Sequence, residues 1–238
     1  MSANDVHLHL EQFRCGDNLS YLLYGRREAL AIDGVAWEDI LSFLAAHGLS
    51  LACLTNTHGH YDHTAGNDHL QRHTGAQLLE HHALPDGATI ALEGTAVRVY
   101  RTPGHTADSV CFHTGGILIT GDTLFNGTVG NCFSGDLRAF FRSLKRLMAL
   151  PAATLVYAGH DYVRDSLATA GQLEPDNPDL ERYRQAYDPG HVCFTLAEEL
   201  RVNPYLRFNA PGIVALLREH NLPTATEEER WLSLMSLD

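Results

Sequence analysis

The sequence contains little positive charge, and lysine is almost absent from it. Its 238 residues include 17 Lys and Arg against 29 Asp and Glu, which gives a formal net charge of −12. Lys145 is the one lysine. Proteins that bind nucleic acid or anionic membranes rely on clustered basic side chains, so this composition argues against an extended interface of that kind. We therefore expect neither a nucleic-acid partner nor a membrane partner.

Paired cysteines and long hydrophobic segments are also missing. The cysteines are odd in number and form no CxxC pair; they are Cys15, Cys53, Cys111, Cys132 and Cys193. This pattern favours buried thiols in a reducing compartment over a disulfide framework or a zinc knuckle. No apolar run approaches the roughly 18 residues that span a membrane, and residues 1–13 lack the basic and apolar regions of a signal peptide. We expect a cytoplasmic protein.

Apolar patterning divides the chain into two parts. The composition, 45% hydrophobic and 19% charged, is typical of a folded globular protein. Short apolar runs bounded by turn residues predict strands at 6–10, 20–24, 29–32, 51–54, 77–80, 95–100, 109–112, 117–120 and 154–157. Helical spacing predicts helices at 37–46 and 136–150. Beyond about residue 160 the chain indicates helices broken by proline, with no convincing strand. We predict an α/β domain over residues 1–160 and a helical domain over residues 161–238.

Histidine and aspartate follow the ends of several predicted strands. The side chains in question are His58, His60, Asp62, His63, His105, Asp122 and His160. If the strands belong to stacked sheets, their ends form one rim, and these seven side chains should lie together there. Imidazole and carboxylate groups together suit zinc, iron or manganese. The sequence therefore predicts a metal site.

The spacing of these side chains fits two ions rather than one. The expected ligands of the first ion are His58, His60 and His105. The expected ligands of the second ion are Asp62, His63 and His160. Asp122 is then the carboxylate that bridges both ions, and each ion keeps an open position for water.

Most histidines in a protein are not ligands. A single histidine near a strand end is more often a solvated or packing residue, and we assign that role to His7, His9, His47, His69, His73, His81, His82, His113, His191 and His220. The run HGHYDH is different, because four ligand-capable side chains occur within six positions.

The motifs THGHYDH, TPGHT, GDTLF and AGHDY together resemble the metallo-β-lactamase superfamily, and specifically glyoxalase II (hydroxyacylglutathione hydrolase). Further along the chain, LEPDNP and TLAEELRVNPYLR are similar to the helical region of that branch. The resemblance covers essentially the whole chain, and all seven ligand positions carry the expected residue types. It implies an αββα sandwich with a binuclear site at one edge and a helical substrate-binding domain over residues 161–238.

The resemblance also implies a reaction. Two divalent ions, zinc by default with iron or manganese as alternatives, activate water for attack on the carbonyl of an acyl thioester. Asp62 and Asp122 are expected to take part in catalysis as well as in metal binding. A thiol with a pKa of about 8.5 leaves as thiolate without a strong general acid. The expected substrate is a small molecule, S-lactoylglutathione, which is cleaved to lactate and glutathione.

The positions of the glutathione-binding groups depart from the family pattern. Tyr162 matches a family tyrosine that helps to hold substrate. Asn131 stands where the family has a basic residue, and Phe133 where it has an aromatic hydroxyl. Near the C-terminus, Met235 and Asp238 stand where an R-x-x-K pattern is usual. We expect Tyr162, Asn131 and Phe133 to contact substrate, with a weakened hold on glutathione.

Other functions in the same fold remain open. One is a persulfide dioxygenase-like iron oxidoreductase, although the G-C-G-R-T-D-F-like stretch of that branch is absent. Another is a lactonase, phosphodiesterase or thioesterase that acts on a substrate without glutathione. A non-catalytic binding protein is disfavoured because no ligand position is lost. The sequence indicates no particular oligomeric state.

Overall fold

Two β-sheets stacked face to face form the centre of the protein, and the computed structural model describes residues 7–237. The first sheet comprises β1 (His9–Cys15), β2 (Asn18–Tyr24), β3 (Glu28–Ile32), β4 (Ser50–Thr55) and β5 (Gln77–Leu78). The second comprises β6 (Thr89–Leu92), β7 (Thr95–Arg101), β8 (Val110–Thr114), β9 (Ile117–Gly121), β12 (Leu155–Ala158) and β13 (Phe194–Thr195). A separate ribbon joins β10 (Leu124–Phe125) to β11 (Thr128–Val129). The strand orders are β1-β2-β3-β4-β5 and β13-β12-β9-β8-β7-β6.

Helices cover the outer faces of both sheets. The earlier helices are α1 (Trp37–His47), α2 (Tyr61–Thr64), α3 (Asn67–Thr74) and α4 (Leu137–Met148). The later ones are α5 (Val163–Leu173), α6 (Asp179–Ala186), α7 (Leu196–Val202), α8 (Pro211–Glu219) and α9 (Glu227–Met235). α1 and α3 share a core cluster with the first sheet, and α4, α8 and α9 share one with the second. The predicted αββα sandwich of the α/β class is therefore confirmed.

β2 shows why the sheet strands carry continuous apolar runs. Tyr21 and Leu23 belong to the core between the sheets, whereas Leu22 packs with the helices on the opposite face. All three side chains are fully buried. A strand covered on both faces needs apolar residues at successive positions rather than at alternate ones. Each fully buried leucine contributes roughly 1.5–3 kcal/mol to the free energy of folding.

The amphipathic helix predicted at residues 136–150 is confirmed as α4. The Asp136 carboxylate accepts a hydrogen bond from the backbone N–H of Ala139 at 2.8 Å and so caps the first turn. Phe140 and Leu144 are buried against the second sheet. Pro151 follows shortly after the last turn, where a proline cannot continue a helix.

The structure corrects several sequence predictions of strands. Part of the predicted strand 6–10 lies outside the described residues, and β1 begins only at His9 and continues to Cys15. β6 was not predicted, and β5 is shorter than the predicted strand 77–80. The expectation of no strand after residue 160 is wrong, because Phe194 and Thr195 pair with β12. Such a short strand has no periodicity of its own and is defined by the edge with which it pairs.

The division of the chain at residue 160 stays a prediction. β13 extends the second sheet, and α8 and α9 pack in one core cluster with α4. No helix within residues 7–237 is long and apolar enough to cross a membrane.

Several strands end along one edge of the sandwich. β3 and β4 run parallel in the first sheet, and β9 and β12 run parallel in the second, so each pair ends on the same side. An isolated bridge between Asn18 and His160 joins the two sheets at this edge. The loops that follow these strands therefore meet.

Candidate metal centre

The loop after β4 is held in place before it delivers any candidate ligand. The backbone N–H of Thr57 donates to Asp33 Oδ1 at 2.7 Å, and its carbonyl accepts from the backbone N–H of Val110 at 2.8 Å. The loop is thereby fixed to β3 on one side and to β8 on the other. The short helix α2 follows and carries Asp62 and His63.

A first cluster collects ligand atoms from three loops. Its members are His58, His60, His105 and Asp122, whose candidate ligand atoms all lie within 4.8 Å of one another. His60 Nδ1 lies 2.9 Å from His58 Nε2 and 3.1 Å from His105 Nε2. His58, His105 and Asp122 are buried, and His60 is partly exposed. These are the side chains that the sequence assigned to the first ion, together with the predicted bridge.

A second cluster lies beside the first. Its members are Asp62, His63 and His160, again with candidate ligand atoms within 4.8 Å. His160 Nε2 lies 3.3 Å from His63 Nε2 and 3.3 Å from Asp62 Oδ2. This set matches the side chains that the sequence assigned to the second ion.

The Asp122 carboxylate lies between the two clusters. Its Oδ1 is 3.4 Å from His63 Nε2, and its Oδ2 is 3.4 Å from His105 Nε2 and 3.6 Å from His160 Nε2. Burial opposes ionisation, but the neighbouring histidines outweigh it and lower the pKa of Asp122 to about 2. Oδ1 is buried and has no hydrogen-bond partner among residues 7–237. A buried anionic oxygen without a donor is suited to a cation.

Hydrogen bonds at Nδ1 fix which nitrogen faces the clusters in two of the buried rings, those of His58 and His105. Thr57 Oγ1 donates to the Asp33 carboxylate at 2.6 Å, so at 3.1 Å it accepts from His58 Nδ1. The Asn131 carbonyl can only accept, so His105 Nδ1 donates to it at 2.9 Å. In a neutral ring the other nitrogen, Nε2, then carries a lone pair.

Electrostatics favour positive charge at the same place. Burial and His63 lower the pKa of His58 to about 3, so this ring is neutral and offers its Nε2 lone pair. For His63, burial favours the neutral ring, but Asp33 and Asp122 outweigh it and raise the pKa to about 10. Lone pairs and carboxylates that converge in this way repel one another unless a cation lies among them. The donor set of imidazole and carboxylate fits divalent metal ions.

Close backbone approach is possible here because of two glycines. A Cβ atom on Gly159 would overlap Asp122 Oδ1, and one on Gly130 would overlap the Asp122 carbonyl oxygen. Gly159 lies inside the AGHDY motif. A side chain at Gly159 would displace the Asp122 carboxylate, and one at Gly130 would displace the Asp122 backbone.

Asp33 is a functional candidate that the sequence reasoning missed. It is fully buried directly after β3, and its Oδ2 accepts a hydrogen bond from His63 Nδ1 at 2.9 Å. Carboxylates that orient a metal-binding histidine in this way commonly tune the site. The available signal was an aspartate at the end of an apolar strand, in the run ALAIDG. Asn18 is a second omission, since its Nδ2 donates to Asp62 Oδ2 at 3.2 Å.

The predicted substrate residues lie beside the clusters. The Tyr162 ring stacks on His160 at 4.9 Å between centroids and 5° between planes. The Phe133 side chain is 66% exposed, with its ring centroid 5.7 Å from that of His60 and 5.2 Å from that of His105. The Asn131 side chain is exposed, and the contact of this residue with the site is through its carbonyl oxygen.

Met235, one of the C-terminal positions at which the family pattern is lost, lies in a core cluster rather than at the site. Met235 packs against the core cluster of α4, α8 and α9, so its side chain belongs to the interior of the helical region. Asp238 lies outside the described residues.

Most of the histidines assigned to solvent or packing are exposed or partly exposed. His81 is the buried one, and its Nε2 lies 2.8 Å from Asp108 Oδ2. Its neighbour His82 has a side chain that is 59% exposed.

Comparison with known proteins identifies the family. The family model of the metallo-beta-lactamase superfamily matches residues 14–86 and 81–160. The hydroxyacylglutathione hydrolase of Chromohalobacter salexigens is 36% identical over 226 residues, which cover 85% of this chain and 88% of that protein. That of Anaeromyxobacter dehalogenans is 36% identical over 241 residues, covering 93% of this chain and 94% of that protein.

Comparison with solved structures supports the fold and says nothing about the activity. ETHE1 from Myxococcus xanthus superposes with a TM-score of 0.70 at 23% identity, covering 96% of this chain and 90% of that chain. The BLEG-1 B3 metallo-beta-lactamase superposes with a TM-score of 0.64 at 20% identity, covering 83% of this chain and 99% of that chain. Sequence identity over nearly the full length, rather than shape, therefore decides the branch. The chain belongs to the metallo-beta-lactamase superfamily and, within it, to the hydroxyacylglutathione hydrolase family.

Proposed function

We propose that this protein is a binuclear metallohydrolase that cleaves acyl thioesters. The observation that carries the proposal is the Asp122 carboxylate, which lies between the two clusters. Its Oδ1 is 3.4 Å from His63 Nε2, and its Oδ2 is 3.4 Å from His105 Nε2 and 3.6 Å from His160 Nε2. A carboxylate placed in this way can hold two ions at a fixed separation. Relatives named hydroxyacylglutathione hydrolase, matched over most of their length, support the thioester class.

Each ion is assigned three side chains of its own and a share of Asp122. The first would be held by His58, His60 and His105. The second would be held by Asp62, His63 and His160. We propose zinc, because imidazole and carboxylate ligands with an open position for water are typical of its catalytic sites, although iron and manganese accept the same donors. When bound, two divalent ions lower the pKa of a shared water towards about 7 and polarise an acyl carbonyl.

The chain itself orients the donors and needs to add little else. Asp33, Thr57 and the Asn131 carbonyl accept the Nδ1 protons of His63, His58 and His105, respectively. The inward nitrogens are thereby kept free for metal. A thiolate with a conjugate-acid pKa of about 8.5 is a good leaving group, so no separate general acid is required. We propose catalytic roles for Asp62 and Asp122 through the water that they help to position.

We propose a hydroxyacyl thioester such as S-lactoylglutathione as the reference substrate, held weakly at its charged end. Tyr162, Asn131 and Phe133 would line the approach to the centre. Asn131 and Phe133 offer no charge, and no arginine or lysine within residues 7–237 forms an ion pair with Asp62 or Asp122. A neutral thiol carrier therefore fits this approach better than glutathione does. We also propose a cytoplasmic location, since all five cysteines are free thiols in the described chain.

Metal analysis combined with a substrate panel tests the proposal. Protein isolated without chelator should contain about two divalent ions per chain and should hydrolyse acyl thioesters faster than lactones or phosphodiesters. Elemental analysis and thiol-release assays measure the two properties separately. A preparation that contains one iron per chain, oxidises persulfides and has no thioesterase activity would instead favour the oxidoreductase alternative.

A further inference from the structure

His81 and Asp108 form a partly buried hydrogen bond outside both candidate ligand sets. His81 lies on a 3-10 turn, His81–Ala83, that follows the first sheet. Asp108 lies in the loop between β7 and β8, three positions after the candidate ligand His105. Their side chains meet at 2.8 Å, and His81 is 6% exposed. The bond therefore joins a segment next to the first sheet to a loop of the second sheet.

The pair packs against the backbone between two candidate ligands. A Cβ atom placed on Gly59 would lie 3.5 Å from Asp108 Oδ2 and 3.9 Å from His81 Nε2, which is ordinary van der Waals contact. Gly59 separates His58 from His60 in the sequence. The pair therefore lies close to the peptide segment that joins His58 to His60.

Asp108 also fixes the loop that carries His105. Its Oδ1 accepts a hydrogen bond from Thr106 Oγ1 at 2.6 Å, and the backbone N–H of Thr106 donates to Ser109 Oγ at 3.1 Å. One carboxylate therefore bonds to His81 through one oxygen and to the residue after His105 through the other. The position of His105 relative to Gly59 depends on Asp108.

We propose that His81 and Asp108 are positioning residues that set the separation between His60 and His105, and hence the affinity of the first cluster for its ion. This inference rests on the proposed metal assignment. The rings of His60 and His105 face each other, with His60 Nδ1 3.1 Å from His105 Nε2. A small shift of the loop that carries either ring would change the coordination geometry of the first ion. Groups that orient ligands without touching the metal commonly change metal affinity by about 10–100-fold.

The test is a metal titration of the apoprotein with zinc by calorimetry, which resolves the two sites without any activity assay. His81→Ala and Asp108→Ala should weaken one site by about tenfold or more and leave the other near its unaltered affinity. His81→Gln, which can still donate to Asp108, should recover part of the loss. His82→Ala is the matched control, because His82 is adjacent but exposed, and it should bind zinc like the unaltered protein.

Three outcomes decide against the proposal. Unaltered zinc affinities with only a lower melting temperature would show that the pair is structural. Equal weakening of both sites would indicate general loosening rather than positioning. If Asp108→Ala does not fold, Asp108→Asn keeps the side-chain volume, and unaltered affinities in that variant and in His81→Ala would likewise overturn the idea. Failure of the unaltered protein to bind two ions would refute the metal assignment itself, so the two failures are distinguishable.

Discussion

At the scale of single residues, proton acceptors outside the clusters determine which ring nitrogens face the metal centre. Thr57, the Asn131 carbonyl and Asp33 each take an Nδ1 proton from a buried ring. Of these groups, only Thr57 lies in the THGHYDH motif that makes the site recognisable. The chemistry of the centre therefore depends on side chains and carbonyls that surround the ligands as well as on the ligands.

Asp122 offers the most direct residue-scale prediction. Because its carboxylate faces both clusters, Asp122→Ala should lower kcat/KM for thioester hydrolysis by at least about a hundredfold and release the more weakly held ion. Steady-state kinetics and elemental analysis measure the two effects. Asp39→Ala, which removes an exposed carboxylate on α1, is the control and should change neither. Near-normal turnover in the Asp122 variant would mean that the bridge is assigned to the wrong residue.

A second residue-scale prediction concerns the hold on the thiol carrier. The double change Asn131→Arg with Phe133→Tyr should lower KM for S-lactoylglutathione by about tenfold to a hundredfold, since a hydrogen bond to a charged group contributes about 1.5–3 kcal/mol. These contacts lie away from the carbonyl, so kcat should change little. The Asn131 carbonyl, which orients His105, is kept in the variant.

A neutral thioester and a distant charge serve as controls for that change. KM for an acyl thioester of an uncharged thiol should not fall, and Gln185→Arg, which adds the same charge on α6, should have no effect on either substrate. A micromolar KM for S-lactoylglutathione in the unaltered protein would contradict a weakened hold.

The sequence identifies the candidate ligands, whereas it does not identify the residues that orient them. His58, His60 and His63 stand in a dense run, and the sequence shows at once that such a run is unusual. Asp33 and His81 are single residues in ordinary surroundings, and only the folded chain brings them to the site. Their roles follow from distances of 2.9 Å and 2.8 Å to partners far away in the sequence.

At the scale of elements, Glu199 on α7 ties the helical region to the β10–β11 ribbon. It is fully buried and accepts hydrogen bonds from Asn126 Nδ2 at 3.1 Å and from the backbone N–H of Gly127 at 2.9 Å. Tyr183 on α6 donates to the same carboxylate at 2.5 Å. Burial raises the pKa of Glu199, although these hydrogen bonds act in the opposite direction.

Replacement of Glu199 by glutamine should destabilise the protein in a pH-dependent way. The amide NH2 group of glutamine is itself a donor and would face the hydrogen-bond donors that surround Glu199. The free energy of unfolding should therefore fall by about 1–3 kcal/mol near pH 4. A raised pKa in the folded state means that the unaltered protein loses stability as pH rises from about 4.5 towards that raised value. The variant has no carboxyl group at this position and does not lose stability in this way. The difference in the free energy of unfolding between the two proteins should therefore become smaller as the pH rises through this range.

Urea unfolding at pH 4 and pH 7 measures the effect of the Glu199 change. Glu181→Gln on α6 removes an exposed carboxylate and should alter stability little. If the stability difference between Glu199→Gln and the unaltered protein grows as the pH rises, Glu199 is not the group whose pKa is raised.

Elements were predictable where burial imposed a pattern. The runs that became β2, β3 and β9 are apolar because the structure covers both of their faces. β1 was misplaced because its residues from Glu11 to Arg14 mix polar and apolar types at a half-exposed edge. β13 was missed because its two residues take their conformation from β12. Strands defined by a partner rather than by burial leave little trace in the sequence.

At the scale of the whole molecule, metal removal should lower stability. The carboxylates and lone pairs of the two clusters repel one another without a cation, so chelator treatment should lower the melting temperature measured by calorimetry. Adding free zinc to a concentration about a thousandfold above its dissociation constant should raise the free energy of unfolding by about 4 kcal/mol per site. Magnesium, which prefers octahedral oxygen ligands, should restore little and is the control. Identical melting curves with and without chelator would contradict a metal-dependent fold.

The bridge between Asn18 and His160 has a consequence for the time at which the centre can form. These residues lie 142 positions apart, and contacts of such separation form late because a long loop must close first. Ribosomes add roughly 5–20 residues per second, so His160 is synthesised roughly 5–20 seconds after His58. During that interval the HGHYDH run exists without its later partners. The proposed second site includes His160, so it can form only in a chain that has been synthesised past His160 and has brought its two sheets together.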